Sequence, residues 1–185
     1  MNDTITERFA QQLAYEGELR FEWRPLAALP TGEALMRLRD ANLTVLNLVS
    51  AVEEHRADGA DDEGGGELVR LDAKVNLLLE LVQRLVARDQ LPPAGMRVRF
   101  NAHGLSVARS ERLVGEQWVT VYIHLDACRA MPLELPAQVV ALPDQARVLL
   151  AFQDIGPVIE EALDRLVFRY HRRQIAIDRR TSREE

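Results

Sequence analysis

The sequence MRVRFNAHGLSVA, residues 96–108, predicts the fold most directly. Apolar and polar residues alternate from Met96 to Phe100, which is the period of a half-buried β-strand. Gly104 interrupts the alternation before Leu105 resumes it, and a glycine between two such runs is typical of a turn. The segment therefore predicts two short antiparallel strands joined by a turn.

Further strand-like runs lie on both sides of this segment. Three apolar runs follow it: residues 118–125, 133–139 and 148–152. Pro132 and the pair Pro143-Asp144 predict the turns between them. Upstream, residues 19–23 alternate in the same way and predict one additional strand. The sequence thus predicts an α+β protein built on a small antiparallel β-barrel.

Two apolar stripes between these strands predict two inserted long helices. The first stripe repeats with spacings of 3 and 4 through a helix of about 32–56, and it consists of Leu35, Leu38, Asn42, Val45, Val49 and Val52. The second repeats identically through a helix of about 67–90, and it consists of Leu68, Leu71, Val75, Leu78, Val82 and Leu85. Residues 57–66 are acidic and rich in glycine, which predicts a flexible link.

The heptad pattern predicts self-assembly, with the residues of both stripes as the oligomer core. Leu79, Leu81 and Val86 widen the second stripe beyond what a two-stranded coiled coil requires, which favours a bundle of several helices. Valine at heptad position a with leucine at d favours two strands instead. We expect a homo-oligomer, with a tetramer favoured. The alternative is a helical hairpin packed within one chain.

The C-terminal segment, residues 154–185, predicts an amphipathic basic helix. Acidic residues come early and arginines late, which matches the helix dipole. The arginines are Arg165, Arg169, Arg172, Arg173, Arg179, Arg180 and Arg183. The predicted organisation is an N-terminal segment with one barrel strand (1–31), a helical insertion (32–90), the barrel (91–153) and this helix.

Composition excludes several classes of protein. The chain has 185 residues, of which 23 are basic and 29 acidic, for a net charge of −6, and 47% are hydrophobic. These values are typical of a chain that folds around a core. One cysteine cannot build a disulfide framework, and the N-terminus lacks the pattern of a signal peptide. We expect a cytoplasmic protein without membrane insertion.

No catalytic or metal site follows from the residues. Cys128 lies just after the strand that carries His124, so the two do not share a strand face, and we interpret the thiol as structural. The four histidines show no metal-binding spacing. Glu160 and Glu161 are adjacent and point to different sides of a helix. The sequence predicts a non-catalytic protein without a metal or a cofactor.

Several segments resemble the PilZ domain family: residues 98–108, 152–155 and 167–180. The resemblance implies a six-stranded antiparallel barrel of bacterial origin. Many members bind cyclic di-GMP, the second messenger that controls motility, biofilm formation and virulence. An atypical branch of the family inserts long heptad helices and forms helical oligomers, which suits residues 32–90.

The resemblance also implies where a ligand would bind. Ligand-binding members carry Asp/Asn-x-Ser-x-x-Gly at the start of the barrel. With the glycine set on Gly104, the acid position is Arg99 and the serine position is Asn101. Arginine in place of a carboxylate or amide changes size, charge and donor character together. We therefore expect this degenerate motif not to bind cyclic di-GMP.

Ligand-binding members also carry Arg-x-x-x-Arg shortly before that motif, where guanidinium groups make bidentate contacts to guanine and phosphate. Arg20 and Arg24 match this spacing, but four other arginine pairs match it too. On a strand, Arg20 and Arg24 would share a face with Glu22, which is typical of a solvated charge row. The alternative is a cyclic di-GMP receptor that assembles Arg20, Arg24 and Arg99 around the ligand.

Taken together, these features predict a regulatory or scaffolding protein of cyclic di-GMP-related signalling. The resemblance implies a place in motility, type IV pilus function or virulence, with contacts to itself and to unidentified protein partners. A second alternative is a nucleic-acid-binding module that uses the basic C-terminal helix. The net charge of −6 and the preference of arginine for helix C-termini argue against nucleic acid.

Overall fold

The computed structural model of the chain describes residues 2–58, 75, 93–113, 115–142 and 146–184. Within these ranges the helices are α1 (Asn2–Gln11), α2 (Gly32–Asp58) and α3 (Pro157–Glu184). The strands are β1 (Tyr15–Pro25), β2 (Gly95–Asn101), β3 (Gly104–Ala108), β4 (Trp118–Leu125), β5 (Cys128–Ala141) and β6 (Arg147–Phe152).

The six strands close into one antiparallel barrel in the order β1-β2-β3-β6-β5-β4. The barrel forms because each strand presents an apolar face to the interior. In β4, Val119, Val121 and Ile123 are fully buried, whereas the residues between them are half-exposed. β1 pairs with both β2 and β4 and so closes the barrel. The predicted α+β barrel with an additional N-terminal strand is confirmed.

β5 differs from the strand that the sequence predicted. We expected a turn at Pro132, but β5 runs from Cys128 to Ala141. Its pairing with β4 is irregular opposite residues 123–125. Pro132 therefore lies in a bulge, where a missing N–H costs no ladder hydrogen bond. The prediction of a turn at Pro132 was wrong because a proline also marks a bulge inside a long strand.

α2 packs along the barrel with part of its predicted oligomer stripe. Val45 and Val49 are buried in the main core, and Val52 packs against that core. The helix contacts β5 and α3 of the same chain. Val45 and Val49 are thus covered by the barrel and α3 of their own chain, whereas Val52 is only half-buried. The assignment of these three residues to an oligomer core stays a prediction. Leu35 and Leu38 are half-buried and stay predicted oligomer contacts.

Asn42 is the polar residue of this stripe, and the structure explains it. The side chain is buried, and its amide forms two hydrogen bonds with the backbone of Glu134 in β5. Nδ2 donates to Glu134 O, and Glu134 N donates to Oδ1, both at 2.8 Å. β6 pairs with β5 only from Ala137 onward, so Asn42 satisfies backbone groups that β6 does not reach. The residue therefore joins α2 to the barrel of its own chain, and its assignment to the oligomer core stays a prediction.

The substitution Asn42→Asp should lower the free energy of unfolding by about 1–3 kcal/mol. A carboxylate can still accept from Glu134 N, but it cannot donate to Glu134 O, which stays buried without its donor. Asn47→Asp is the matched control, because Asn47 is exposed on the same helix. Chemical denaturation compares the two variants. Equal stabilities would contradict the structural role of Asn42.

α3 completes the core on the side of β1, β2 and α2. Gly156, with a φ of 86°, leads the chain into the helix, and a glycine adopts this conformation without strain. The helix buries an apolar stripe along the barrel: Ile159, Leu163, Leu166 and Val167. The predicted C-terminal helix is confirmed.

The predicted second helix, residues 67–90, lies outside the described residues except at Val75. Val75 is helical, and 53% of its surface is exposed. The other residues of that stripe are not described: Leu68, Leu71, Leu78, Val82 and Leu85. α2 continues to Asp58, and the rest of the predicted link, residues 59–66, lies outside the described residues. In the described part of the chain, no helix is long and apolar enough to cross a membrane.

Candidate functional site

The three positions of the degenerate ligand motif lie together on the outer face of the barrel. Arg99 and Asn101 flank Phe100, whose ring is buried in the interior. Because side chains alternate along a strand, Arg99 and Asn101 both project outward. Asn101 pairs with Gly104 across the turn between β2 and β3. We call the outer surface of β2, β3, β6 and β5 around these residues the motif face.

Gly104 is required by the packing of the barrel itself. A Cβ atom at this position would lie 2.7 Å from Leu150 O and 2.8 Å from Leu149 Cδ1 of β6. Those separations are shorter than nonbonded carbon contacts allow. A side chain here would force β3 and β6 apart, so the retained glycine is explained without a ligand.

The N-terminal helix α1 covers the motif face, a feature that the sequence analysis missed. Phe9 of α1 is buried in a small apolar cluster on the outer surface of β5 and β6. The cluster contains Val140, Leu149 and Ala151, with Ile5 of α1 packed at its edge. α1 therefore packs on the same face as the degenerate motif positions Arg99 and Asn101.

Arg99 and Asn101 hold the C-terminal end of α1 in place. Asn101 Nδ2 donates to Phe9 O at 2.9 Å, and an Arg99 terminal nitrogen donates to Ala10 O at 3.0 Å. The Arg99 guanidinium also lies 5.6 Å from the centre of the Phe9 ring, within cation–π range. The last carbonyls of a helix have no partner inside it. The two motif residues thus act as the cap of α1.

Arg20 and Arg24 are not gathered at the motif face. Arg99 lies opposite Glu16 on β1, so Arg20 and Arg24 are about 13 Å and 26 Å further along the strand. Arg20 donates to Pro93 O at 3.5 Å. Arg24 pairs with Glu22 at 2.9 Å, and its guanidinium lies over the Tyr122 ring. These contacts are those of a solvated charge row. The structure keeps the three arginines apart.

Comparisons with known proteins find a family model and a solved structure that are similar to this chain. The family model for the atypical PilZ domain, described as a cyclic di-GMP receptor, matches residues 43–180, well over half of the chain. The chain belongs to the atypical PilZ family. A pathogenic protein from Xanthomonas campestris has a similar structure, with a TM-score of 0.73 and 29% sequence identity over 94% of this chain and 97% of its own. That crystal structure is described as a tetrameric PilZ domain self-assembled through an unusual helical bundle. No curated protein matches the chain.

In this PilZ protein, a buried carboxylate joins α2 to α3. Glu53 of α2 has a side chain that is only 3% exposed. Arg169 Nε lies 3.0 Å from Glu53 Oε2, and an Arg173 terminal nitrogen lies 3.1 Å from Oε1. Arg169 also donates to Ser50 Oγ at 2.9 Å. The cluster fixes the two helices against each other just before α2 reaches its last turns.

Tyr170 lies beside this carboxylate and packs edge-on against Tyr15 of β1, with the ring centres 5.4 Å apart. Burial raises the pKa of Tyr170 well above its ordinary value, and the negative charges of Glu53 and Asp126 add to the effect. The phenol is therefore neutral at physiological pH. It fills the junction of α3, α2 and β1 as an apolar ring.

The arginines of α3 are largely engaged within the chain. Besides Arg169 and Arg173, Arg165 pairs with Glu161 at 3.7 Å, and Arg172 stacks on the exposed ring of Phe168. The side chains of Arg179, Arg180 and Arg183 are not described. Arg169 and Arg173 thus join α3 to α2, and Arg165 and Arg172 contact other residues of α3. This intramolecular use of the guanidinium groups favours the dipole interpretation over a nucleic-acid footprint.

The residues that were weighed as catalytic or metal-binding are Cys128, Glu160, Glu161 and the histidines. Cys128 is fully buried, and burial raises the pKa of its thiol, so the reactive thiolate is disfavoured at neutral pH. Among the described residues, no group of three or more His, Cys, Asp or Glu side chains could hold a metal ion. The family model that matches the chain is described as a cyclic di-GMP receptor.

Proposed function

We propose that this PilZ protein is a cytoplasmic, non-catalytic regulator or scaffold that self-assembles through its heptad helices and does not bind cyclic di-GMP at the motif face. The observation that carries the proposal is the docking of α1. Arg99 and Asn101, the positions that would contact a ligand, instead hold the carbonyls of Phe9 and Ala10. The resemblance of the chain to the family suggests a role in bacterial motility, type IV pilus or virulence signalling.

The electrostatics of the motif face support the absence of binding. The C-terminus of a helix carries a partial negative charge, and the end of α1 lies directly over Asn101. A cyclic dinucleotide with two phosphates would approach that end at an electrostatic cost. It would also have to displace the buried Phe9 ring. Both costs oppose binding at this position.

Self-assembly is supported by the solved relative and by Val75. The Xanthomonas campestris protein forms its tetramer through a helical bundle, and the likeness covers 94% of this chain. Val75 exposes 53% of its surface in the single chain, and its heptad stripe continues through residues 67–90. An exposed valine inside an apolar heptad stripe is typical of a helix that packs against further helices. The finer proposal is a homotetramer.

Contacts with other proteins are supported by an exposed groove between the α1–β1 connection and α3. Leu13 and Phe168, which are 46% and 51% exposed, lie on its two sides. Charged residues of both signs line the same groove: Glu161, Asp164, Arg165 and Arg169. Exposed apolar side chains with a charged rim are typical of protein interaction surfaces.

Isothermal titration of cyclic di-GMP into the purified full-length protein tests the proposal, with the mass measured by light scattering in the same buffer. We expect no heat of binding from a protein of oligomeric mass. Saturable binding at micromolar or tighter affinity would overturn the non-binding proposal. In that case Arg99→Ala, compared with Arg24→Ala, would show whether the motif face or the β1 charge row binds the nucleotide.

The alternative function is that of a cyclic di-GMP receptor, and the description of the matching family favours it. Such a receptor would have to release α1 or use arginines away from the motif face. The second alternative, nucleic-acid binding by α3, predicts retention of DNA at low salt and its loss at moderate salt. The intramolecular pairing of Arg165, Arg169 and Arg173 favours the scaffold over this alternative.

A further inference from the structure

We propose that the motif face is a helix-binding groove, that α1 is its resident ligand, and that a partner's short amphipathic helix with an aromatic residue in its last turn displaces α1. The inference rests on the contacts of α1 and does not depend on whether the protein assembles or binds a nucleotide. It assigns a protein ligand to the face that carries the degenerate motif.

The chemistry of the groove defines the helix that fits it. Val140, Leu149 and Ala151 form an apolar depression filled by the Phe9 ring. Beside it, Asn101 and Arg99 present donors 2.9 Å and 3.0 Å from two consecutive carbonyls. An aromatic anchor next to charged and amide donors is typical of the centre of an interface. An occupant must therefore end its helix within a residue or two of the aromatic side chain, as α1 does at Gln11.

α1 is built as an exchangeable occupant. It has 10 residues, a length at which an isolated helix is marginal in water. Among its described side chains, from Thr4 to Gln11, only that of Phe9 is buried. The connection to β1 consists of residues 12–14, and Leu13 within it is exposed. Release of α1 would leave the ladder hydrogen bonds of the barrel intact, because α1 contributes none of them.

The first test is hydrogen exchange on the full-length protein. Phe9→Ala should remove the amide protection of residues 5–11 and leave that of β2, β5 and β6 unchanged. Glu7→Ala is the matched control on the exposed side of the same helix and should keep wild-type protection. Unchanged protection of α1 in the Phe9→Ala protein would show that the anchor does not hold the helix and would overturn the inference.

The second test supplies the helix from outside. A fluorescein-labelled peptide of residues 1–12 is titrated by anisotropy into the full-length Phe9→Ala protein, whose fold is checked by circular dichroism. We expect saturable binding, at least about tenfold tighter than to the wild-type protein, where α1 competes. The same peptide carrying Phe9→Ala should bind at least about tenfold more weakly. No binding of the native peptide, or equal binding of both peptides, would overturn the proposal.

The substitution Asn101→Asp removes the donor to the helix end but preserves the turn between β2 and β3. Aspartate can still accept from His103 N, as Asn101 Oδ1 does at 2.9 Å, so the turn is preserved. It cannot donate to the last carbonyls of a helix, and its charge repels them. A Phe9→Ala/Asn101→Asp protein with the barrel spectrum of its parent should therefore lose the peptide. Retained binding would mean that Asn101 does not recognise the helix end.

Discussion

Replacing Val75 and Leu78 by glutamate should dissociate the assembled protein into single chains of 20.9 kDa that keep a folded barrel. The two residues occupy successive a and d positions of the second heptad stripe. Val75 is exposed in the single chain, so a charge there costs nothing before assembly. In a bundle, each chain would bury two unpaired carboxylates, at a cost of several kcal/mol.

The matched control adds the same charge to the same helix away from the stripe. Ala73 and Asn76 stand at positions f and b of the heptad, so Ala73→Glu/Asn76→Glu should keep the oligomeric mass. Light scattering and far-ultraviolet circular dichroism compare the two double variants. If the Val75→Glu/Leu78→Glu protein kept the native mass, the helices would have to pack within one chain.

The barrel could be predicted because its signal is local. Alternation in residues 96–100 and 118–125 depends on which side of a strand faces the interior, and burial in β4 follows that alternation residue by residue. The strand boundaries were harder to predict, since a proline in a strand-like run is compatible with two different structures. Pro132 can end a strand or occupy a bulge, and only the pairing of β5 with β4 distinguishes them.

The partner of an apolar stripe could not be predicted from its period. Val45 and Val49 repeat at the spacing that a coiled coil requires, yet they pack on β5 and α3 of the same chain. A buried stripe looks the same whether a barrel or a second chain covers it. Asn42 was interpreted as the polar position of an oligomer stripe, whereas its amide forms two hydrogen bonds with the backbone of Glu134.

The motif face was predicted only in part. Arg99 and Asn101 were recognised as departures from the family motif, but their new role needed α1. A signal for α1 was present, because Ile5 and Phe9 are four residues apart and polar residues precede them. A ten-residue segment with two large apolar side chains is too weak a pattern to reveal where it docks. The hydrogen bonds to Phe9 O and Ala10 O depend on tertiary structure alone.

The double substitution Arg169→Met/Arg173→Met should lower the free energy of unfolding by about 3–5 kcal/mol, because it leaves the Glu53 carboxylate buried without a countercharge. Methionine preserves the apolar stem of each arginine, so little packing is lost. Glu53→Gln alone should lower the free energy of unfolding by less than this double substitution does. Arg169 and Arg173 are 27% and 53% exposed, so their charges regain water once the carboxylate is gone.

Adding Glu53→Gln to the double variant should restore part of the lost stability, since the amide removes the stranded charge. Arg165→Met is the control on the same helix: its pair with Glu161 is exposed at 3.7 Å and should contribute at most about 1 kcal/mol. Urea denaturation of the wild type and these four variants measures each difference. If Glu53→Gln destabilised the double variant further, groups other than the two arginines would stabilise the carboxylate. The ion pairs of Glu53 with Arg169 and Arg173 would then not be what holds α2 against α3.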